Sequence, residues 1–191
     1  MSLKDFDYSK FKKIKPPKDN SLETFKEIQY LNKLRKDDKF VKDNDNIKEV
    51  FINVVGKDED IGKLIDDSRP VISKLKKYFN RPRPKDLAKN FGLKLEDVEL
   101  DSMKTASYPS GHSAQGYLIA EVLKDKYPDK LKELDEKAKD ISDSRNIARS
   151  HYKSDSEAGK RLGLDMANHL KGNVWKQNWN GTSCLKTKKT L

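Results

Sequence analysis

Apolar positions recur at helical spacing along most of this 191-residue chain. Phe25, Ile28, Leu31 and Leu34 mark one face of a helix opened by Ser21, a favoured capping residue, with Glu23 and Glu27 near its start. Ile47 to Val55 predicts a second helix, ended by Gly56, and Ile61 to Phe79 a third, with a break expected near Arg69-Pro70. Arg81-Pro82-Arg83-Pro84 stops it, because proline clashes with the preceding turn and disfavours helix in the residue before it. Residues 85–108 read as a loop with short helical pieces such as Leu95 to Leu100. The run Ala114 to Lys126 predicts the next helix, and Leu131, Leu134, Ala138 and Ile141 a long amphipathic one continuing towards Arg145 and Ala148. Ser154-Asp155-Ser156-Glu157 matches a capping box that opens a last helix with Ala158, Leu162, Met166 and Leu170 inward. Gly159 and Gly163, one turn apart on it, allow a close helix contact. No segment alternates as a strand does, so the expected fold class is all-α.

Three stretches follow from this pattern: an extended, basic, proline-marked arm at 1–20, a single helical domain at 21–172, and a polar tail at 173–191. In the tail, Trp175 and Trp179 are spaced to pack back on the body. Hydrophobic residues are 34% and charged residues 38%, polar for a folded domain, but the helical recurrence argues against disorder. No apolar run approaches the roughly 18 residues of a membrane span. The formal charge of +10 favours anionic partners such as phosphate esters, nucleic acid or acidic lipid head groups. The lysines are scattered among acids without an aromatic stacking platform, so nucleic acid is not the expected partner. Cys184 is the only cysteine, which excludes an internal disulfide and a cysteine metal cluster. Met1-Ser2-Leu3 lacks the apolar stretch of a secretory signal, which leaves open that it replaces one.

Three segments set polar groups on or beside apolar helical faces. In the first, Ile72, Lys76 and Phe79 share a face and Arg83 follows at the helix end; a lysine stem covering apolar surface is the plain alternative. The second is Ser107-Tyr108-Pro109-Ser110-Gly111-His112-Ser113, a turn feeding a helix N-terminus where free backbone N–H groups and the helix dipole suit an anion. Taken alone it also describes a tight turn with a surface histidine. In the third, Arg145 continues an inward stripe and so needs an anionic partner, while Asp155 follows His151 by four residues. A surface pair is the alternative for those two. Together they supply cations for phosphate oxygens, a nucleophile and an acid, the inventory of metal-free phosphoryl transfer.

The pattern Lys-x6-Arg-Pro, Pro-Ser-Gly-His and Ser-Arg-x5-His-x3-Asp resembles the three-part signature of the phosphatidic acid phosphatase type 2 (PAP2) superfamily. It is complete as Lys76…Arg83-Pro84, Pro109-Ser110-Gly111-His112 and Ser144-Arg145…His151…Asp155, over residues 76–155. Lys74 with Arg81-Pro82 also satisfies its first part. The wording around Tyr78 and Ser107 looks most like that of the bacterial class A non-specific acid phosphatases, which favours Lys76 with Arg83. The resemblance implies a helical bundle of the acid phosphatase and vanadium haloperoxidase type, without cofactor or metal. It implies a phosphate monoester hydrolase in which His151 is the nucleophile, Asp155 its orienting carboxylate and His112 the general acid and base. Lys76, Arg83, Ser110, Gly111 and Arg145 would hold the phosphate, vanadate would inhibit, and His169 would be a helix-face residue. A periplasmic or secreted enzyme, often dimeric, is the family expectation. A phosphatase for a lipid phosphate or pyrophosphate, a vanadate-dependent haloperoxidase, and a non-catalytic phosphate- or nucleic-acid-binding protein are the other readings.

Overall fold

The structure, a computed structural model, describes residues 2–98 and 100–181, with side chains except at 101, 102 and 173–181. Among these residues it is all-α: α1 (Leu22–Lys33), α2 (Asp38–Asp43), α3 (Ile47–Val55), α4 (Glu59–Phe79), α5 (Pro84–Asn90), α6 (Gly111–Lys126), α7 (Leu131–Ile147) and α8 (Lys153–Gly181). Short 3₁₀ turns lie at Ser9–Lys13, Asp101–Lys104 and Pro128–Lys130. No described helix is long and apolar enough to cross a membrane.

The helix behind the Pro-Ser-Gly-His turn is the centre of the bundle. Along α6, Ala114, Gly116, Leu118, Ile119, Val122 and Leu123 are buried, on several sides of the helix, as expected for one enclosed by others. α8, α7 and α4 pack around it. The α8 contact depends on two glycines. A Cβ at Gly159 would come within 2.4 Å of the Ser110 carbonyl oxygen, and one at Gly163 within 2.3 Å of the Ala114 carbonyl oxygen. Only a hydrogen fits there, so the spacing of these glycines sets how near α8 lies to the head of α6. Between α6 and α7, Ser113 Oγ and Ser142 Oγ hydrogen-bond at 2.8 Å.

Several boundaries fall where the sequence predicts, α3 and the end of α6 among them. Ser21 caps α1 by accepting from the Thr24 N–H at 3.2 Å. The expected break at Pro70 is absent. Its missing N–H and its ring disturb the turn before it, where the Ile65 carbonyl accepts from Ser68 Oγ (2.8 Å) and Gln115 Nε2 (3.2 Å), and α4 continues unbroken. Among the described residues the helical piece expected at Leu95 to Leu100 does not form; instead α5 opens at Pro84, a favoured first position. The expected Ser154 capping box is replaced by a related arrangement two residues earlier: Asp155, in the first turn of α8, accepts from the Tyr152 N–H at 3.1 Å. Ser154 instead donates its N–H to Glu27 of α1 at 2.7 Å.

Residues 2–20 lie against the body, burying Leu3, Phe6 and Phe11 in the main core. A smaller apolar cluster joins Ile28, Leu31, Leu87, Leu95 and Tyr152 beneath α1 and α5. α8 continues through 173–181, and the placements expected for Trp175, Trp179 and Cys184 lie outside the described residues and side chains. His169 lies half-buried on α8, and its ring stands edge-on to Phe6 at 5.5 Å.

The glycine contact gives the first prediction. Gly163→Ala should destabilise the fold by about 1–3 kcal/mol, more than the roughly 0.5–1 kcal/mol a helical Gly-to-Ala change ordinarily gains. A thermal midpoint equal to or above that of the parent protein would show that α6 and α8 are not held at this distance.

Candidate active site

A cleft of about 550 Å³ opens between α4, the head of α6 and the segment that precedes α8. Arg69, Ile72, Lys76, Gly111, His112 and His151 are among the residues that line it. The three signature segments therefore converge, and both histidines face one space.

His151 is held from both sides. Its Nδ1 lies 3.2 Å from Asp155 Oδ2, and its Nε2 lies 3.1 Å from an Arg83 guanidinium nitrogen. A guanidinium can only donate, so Nε2 presents its lone pair and the ring proton sits on Nδ1, facing the carboxylate. Burial pushes the imidazole well below its usual pKa, and the Arg83 and Lys76 charges add to this against the pull of Asp155. The ring is neutral with Nε2 unprotonated, the form a nucleophile requires. Its backbone is fixed by α7: the N–H groups of Ser150 and His151 both bond to the Arg145 carbonyl, at 3.1 and 3.3 Å. Arg149, at a left-handed φ of 58°, clamps the same segment to α1 by donating to the Leu31, Asn32 and Leu34 carbonyls.

Asp155 is fully buried. Burial would raise its pKa, but the hydrogen bond from His151, the Arg81 charge and a hydroxyl donated by Ser107 hold it at about 2. Ser107 Oγ donates to Oδ2, and Arg81 donates to Oδ1 at 2.7 Å. Arg81 also reaches Ser154 Oγ at 2.8 Å and Glu27 Oε2 at 3.0 Å, with its guanidinium 3.7 Å from the Tyr152 ring centroid. This resolves the two overlapping Lys-x6-Arg-Pro matches spatially. Lys76 is buried against the cleft, whereas Lys74 is exposed and stands over Tyr8. Arg81 belongs to the carboxylate network behind the cleft, and Arg83 to the histidine in front of it.

Lys76 donates to the Ala106 carbonyl. Burial, reinforced by Arg83 nearby, brings its pKa down to about 7. Arg83 donates to the Thr105 and Ser150 carbonyls at 2.9 and 2.7 Å. Gly111 packs against Lys76, since a Cβ there would be 3.9 Å from Lys76 Cε. Ser110 is buried and caps α6: its Oγ accepts from the N–H and hydroxyl of Ser113, which leaves its own proton to donate. The Ser110 N–H, however, already bonds to the Asp155 carbonyl at 3.0 Å, so it is not among the donors at the mouth of the helix.

His112 and Arg145 meet at a residue the sequence did not flag. Asp45, in the link between α2 and α3, accepts from Arg145 at 2.7 Å and sits 3.4 Å from His112 Nε2, whose nearest acceptor is the Asp45 carbonyl at 3.2 Å. Burial lowers the His112 pKa, opposed by the Asp45 hydrogen bond and assisted by Arg145. Glu27 and Ser107 were likewise not singled out as site residues, and Arg81 entered only through the alternative match of Lys74 with Arg81-Pro82. The Arg-Pro-Arg-Pro repeat signalled a second arginine beside the first; nothing local marked Glu27 or Asp45, whose roles arise from contacts across the fold. Among the described residues no three His, Cys, Asp or Glu side chains converge as a metal site.

No protein-family profile matches the chain. Over 88 residues it is 40% identical to a non-specific acid phosphatase of Salmonella typhimurium, a stretch covering 46% of this chain and 35% of that protein. A non-specific acid phosphatase of Salmonella typhi is 39% identical over 88 residues, with the same coverage. The chain thus matches only about a third of the length of these relatives. Its fold is similar to that of a transmembrane PAP2-type phosphatidylglycerolphosphate phosphatase from Bacillus subtilis, at a TM-score of 0.58 and 18% identity, over 87% of this chain and 88% of that one. These findings bear out the resemblance to non-specific acid phosphatases and the all-α fold.

The network around Asp155 gives the second prediction. Arg81→Ala removes the partner of a buried carboxylate and should cost about 3–5 kcal/mol, read by urea unfolding. A loss below 1 kcal/mol would mean that Asp155 is held without it.

Proposed function

We propose that this chain is an acid phosphatase that hydrolyses phosphate monoesters through a phosphohistidine intermediate, without a metal ion. The observation that carries the reading is the His151 environment: a neutral imidazole with its Nε2 lone pair beside a cationic cleft and its Nδ1–H on a buried carboxylate.

In the first step His151 Nε2 attacks phosphorus, forming the N–P bond as the ester P–O bond breaks. The ring becomes cationic, and Asp155 stabilises the proton on Nδ1 without accepting it. Protonated His112 gives its proton to the departing alkoxide. In the second step neutral His112 takes a proton from water, whose oxygen attacks phosphorus and releases His151 and inorganic phosphate. Arg83, turning from Nε2 to a phosphate oxygen, would free the lone pair as the substrate arrives. Lys76, Arg145, Ser110 Oγ and the Gly111 N–H would complete the oxygen contacts. Vanadate, which adopts the five-coordinate geometry, should bind the same place. The periplasmic or secreted location follows from the acid phosphatase likeness as part of this proposal.

The pH dependence has a definite sign. His112 acts as an acid only below its pKa, and burial holds that pKa under the usual imidazole value of about 6.5. Because kcat/KM reports the free enzyme, it should already be falling with rising pH below the usual imidazole value. Lys76 adds to this by losing its charge near pH 7 in the free site, so KM should rise between pH 6 and 8. A flat profile across that range would contradict both assignments.

Direct trapping tests the nucleophile. Acid-labile, base-stable label from a ³²P-phosphate ester should appear on the protein and vanish in His151→Ala, with turnover of an aryl phosphate down by at least about 10³-fold. Near-parental turnover in that variant would remove His151 from the reaction.

A further inference from the structure

We propose that Asp45 is the positioning carboxylate of His112, so that the cleft holds two histidine–aspartate pairs, one for each side of the reaction. This rests on the phosphatase reading for the role of His112, but the contact itself does not.

Asp45 is the single residue between two helix caps. Asn44 ends α2 and bonds its side-chain amide to the Phe40 carbonyl at 2.9 Å. Asn46 opens α3 by accepting from the Glu49 N–H at 3.3 Å. With both neighbours engaged, the backbone at Asp45 has little freedom, and its carbonyl and carboxylate stay turned to His112 Nε2. Arg145, itself fully buried, reinforces the placement by holding Asp45 Oδ1 and reaching the Val41 carbonyl at 3.5 Å.

A proton on Nε2 faces the Asp45 carbonyl, which leaves Nδ1 as the ring atom that gives and takes the catalytic proton. The charges facing the ring come from several elements. Asp45 contributes the negative charge, and Arg145 of α7 a positive one. Lys76 and Arg69 of α4 share the cleft with His112, as does His151 from the turn before α8. Burial and Arg145 thus oppose protonation of His112, and Asp45 is the carboxylate within reach of its ring. Asp45 is partly exposed, so water moderates this effect. Its own pKa of about 2, set first by the bond to His112, keeps it charged wherever the enzyme would work.

Asp45→Asn keeps the shape and the Arg145 contact through its amide oxygen but removes the charge. The alkaline limb of kcat/KM for an aryl phosphate should move to lower pH by about one unit, the effect of losing one adjacent opposite charge, with kcat on that limb down about tenfold. The same shift should appear in the His112 ring signals titrated by NMR, assigned with His112→Ala, which requires no turnover. An unmoved limb and NMR titration would overturn the proposal, as would a lowered KM and tighter inorganic phosphate binding with the limb in place. In that last case Asp45 is a rival anion for Arg145. If the parent protein does not hydrolyse the ester, the phosphatase reading fails while the NMR shift still decides the Asp45–His112 pair. Asp45→Ser, which also removes the charge, provides the same readouts should the asparagine variant fail to fold.

Discussion

A carboxylate without access to water must be surrounded by donors, and the whole cleft is arranged around that requirement at Asp155. Its oxygens receive Arg81 from the end of α4, Ser107 from the turn before α6, and the Tyr152 N–H and His151 from the turn before α8. Glu27 of α1 joins by bonding both Arg81 and Ser154. Removing any donor leaves charge uncompensated in a dry interior, so the segments are held in register by electrostatics as much as by packing. The result is a histidine whose tautomer is set by the fold before any substrate arrives.

Packing sets the other coordinate. Gly159 and Gly163 let the backbone of α8 approach the Ser110 and Ala114 carbonyls, and the Ser110 N–H to Asp155 carbonyl bond closes the same gap. The amino end of α6 and the carboxylate of α8 are therefore neighbours because no side chain stands between them. A wider helix spacing would separate His112 from His151 even with every site residue retained.

The helices were legible in the sequence because they bury periodic faces, and the signature residues because fixed spacings brought them to helix ends. α3 and the cap of α1 formed where the pattern put them. Pro70 misled because one missing N–H need not end a helix that is packed along its length, and the turn before it is held from outside by Gln115, whose side-chain amide donates to the Ile65 carbonyl. Ser154 misled for a related reason: Glu27 takes its N–H, and Asp155 answers the cap position instead. Asp45 and Glu27 are ordinary acids among 31 until the fold sets one on Arg145 and the other on Arg81.

The same buried charges separate two kinds of cation. Arg81 is joined to carboxylates on both of its terminal nitrogens, and an arriving phosphate would have to break two buried ion pairs to recruit it. Lys76 instead donates to a neutral acceptor, the Ala106 carbonyl, and Arg83 has the Thr105 and Ser150 carbonyls and an imidazole nitrogen among its acceptors. Exchanging a carbonyl for a phosphate oxygen turns an ordinary hydrogen bond into a charge-assisted one, roughly twice as strong. An anion in the cleft thus improves the bonding of Lys76 and would worsen that of Arg81. Arg145 stands between these cases, because its carboxylate partner is partly exposed and belongs to the short link between α2 and α3. How far Arg145 contributes to an anion's seat is set by how firmly that link holds Asp45, which joins the electrostatics of the phosphate contacts to the protonation of His112 through one side chain.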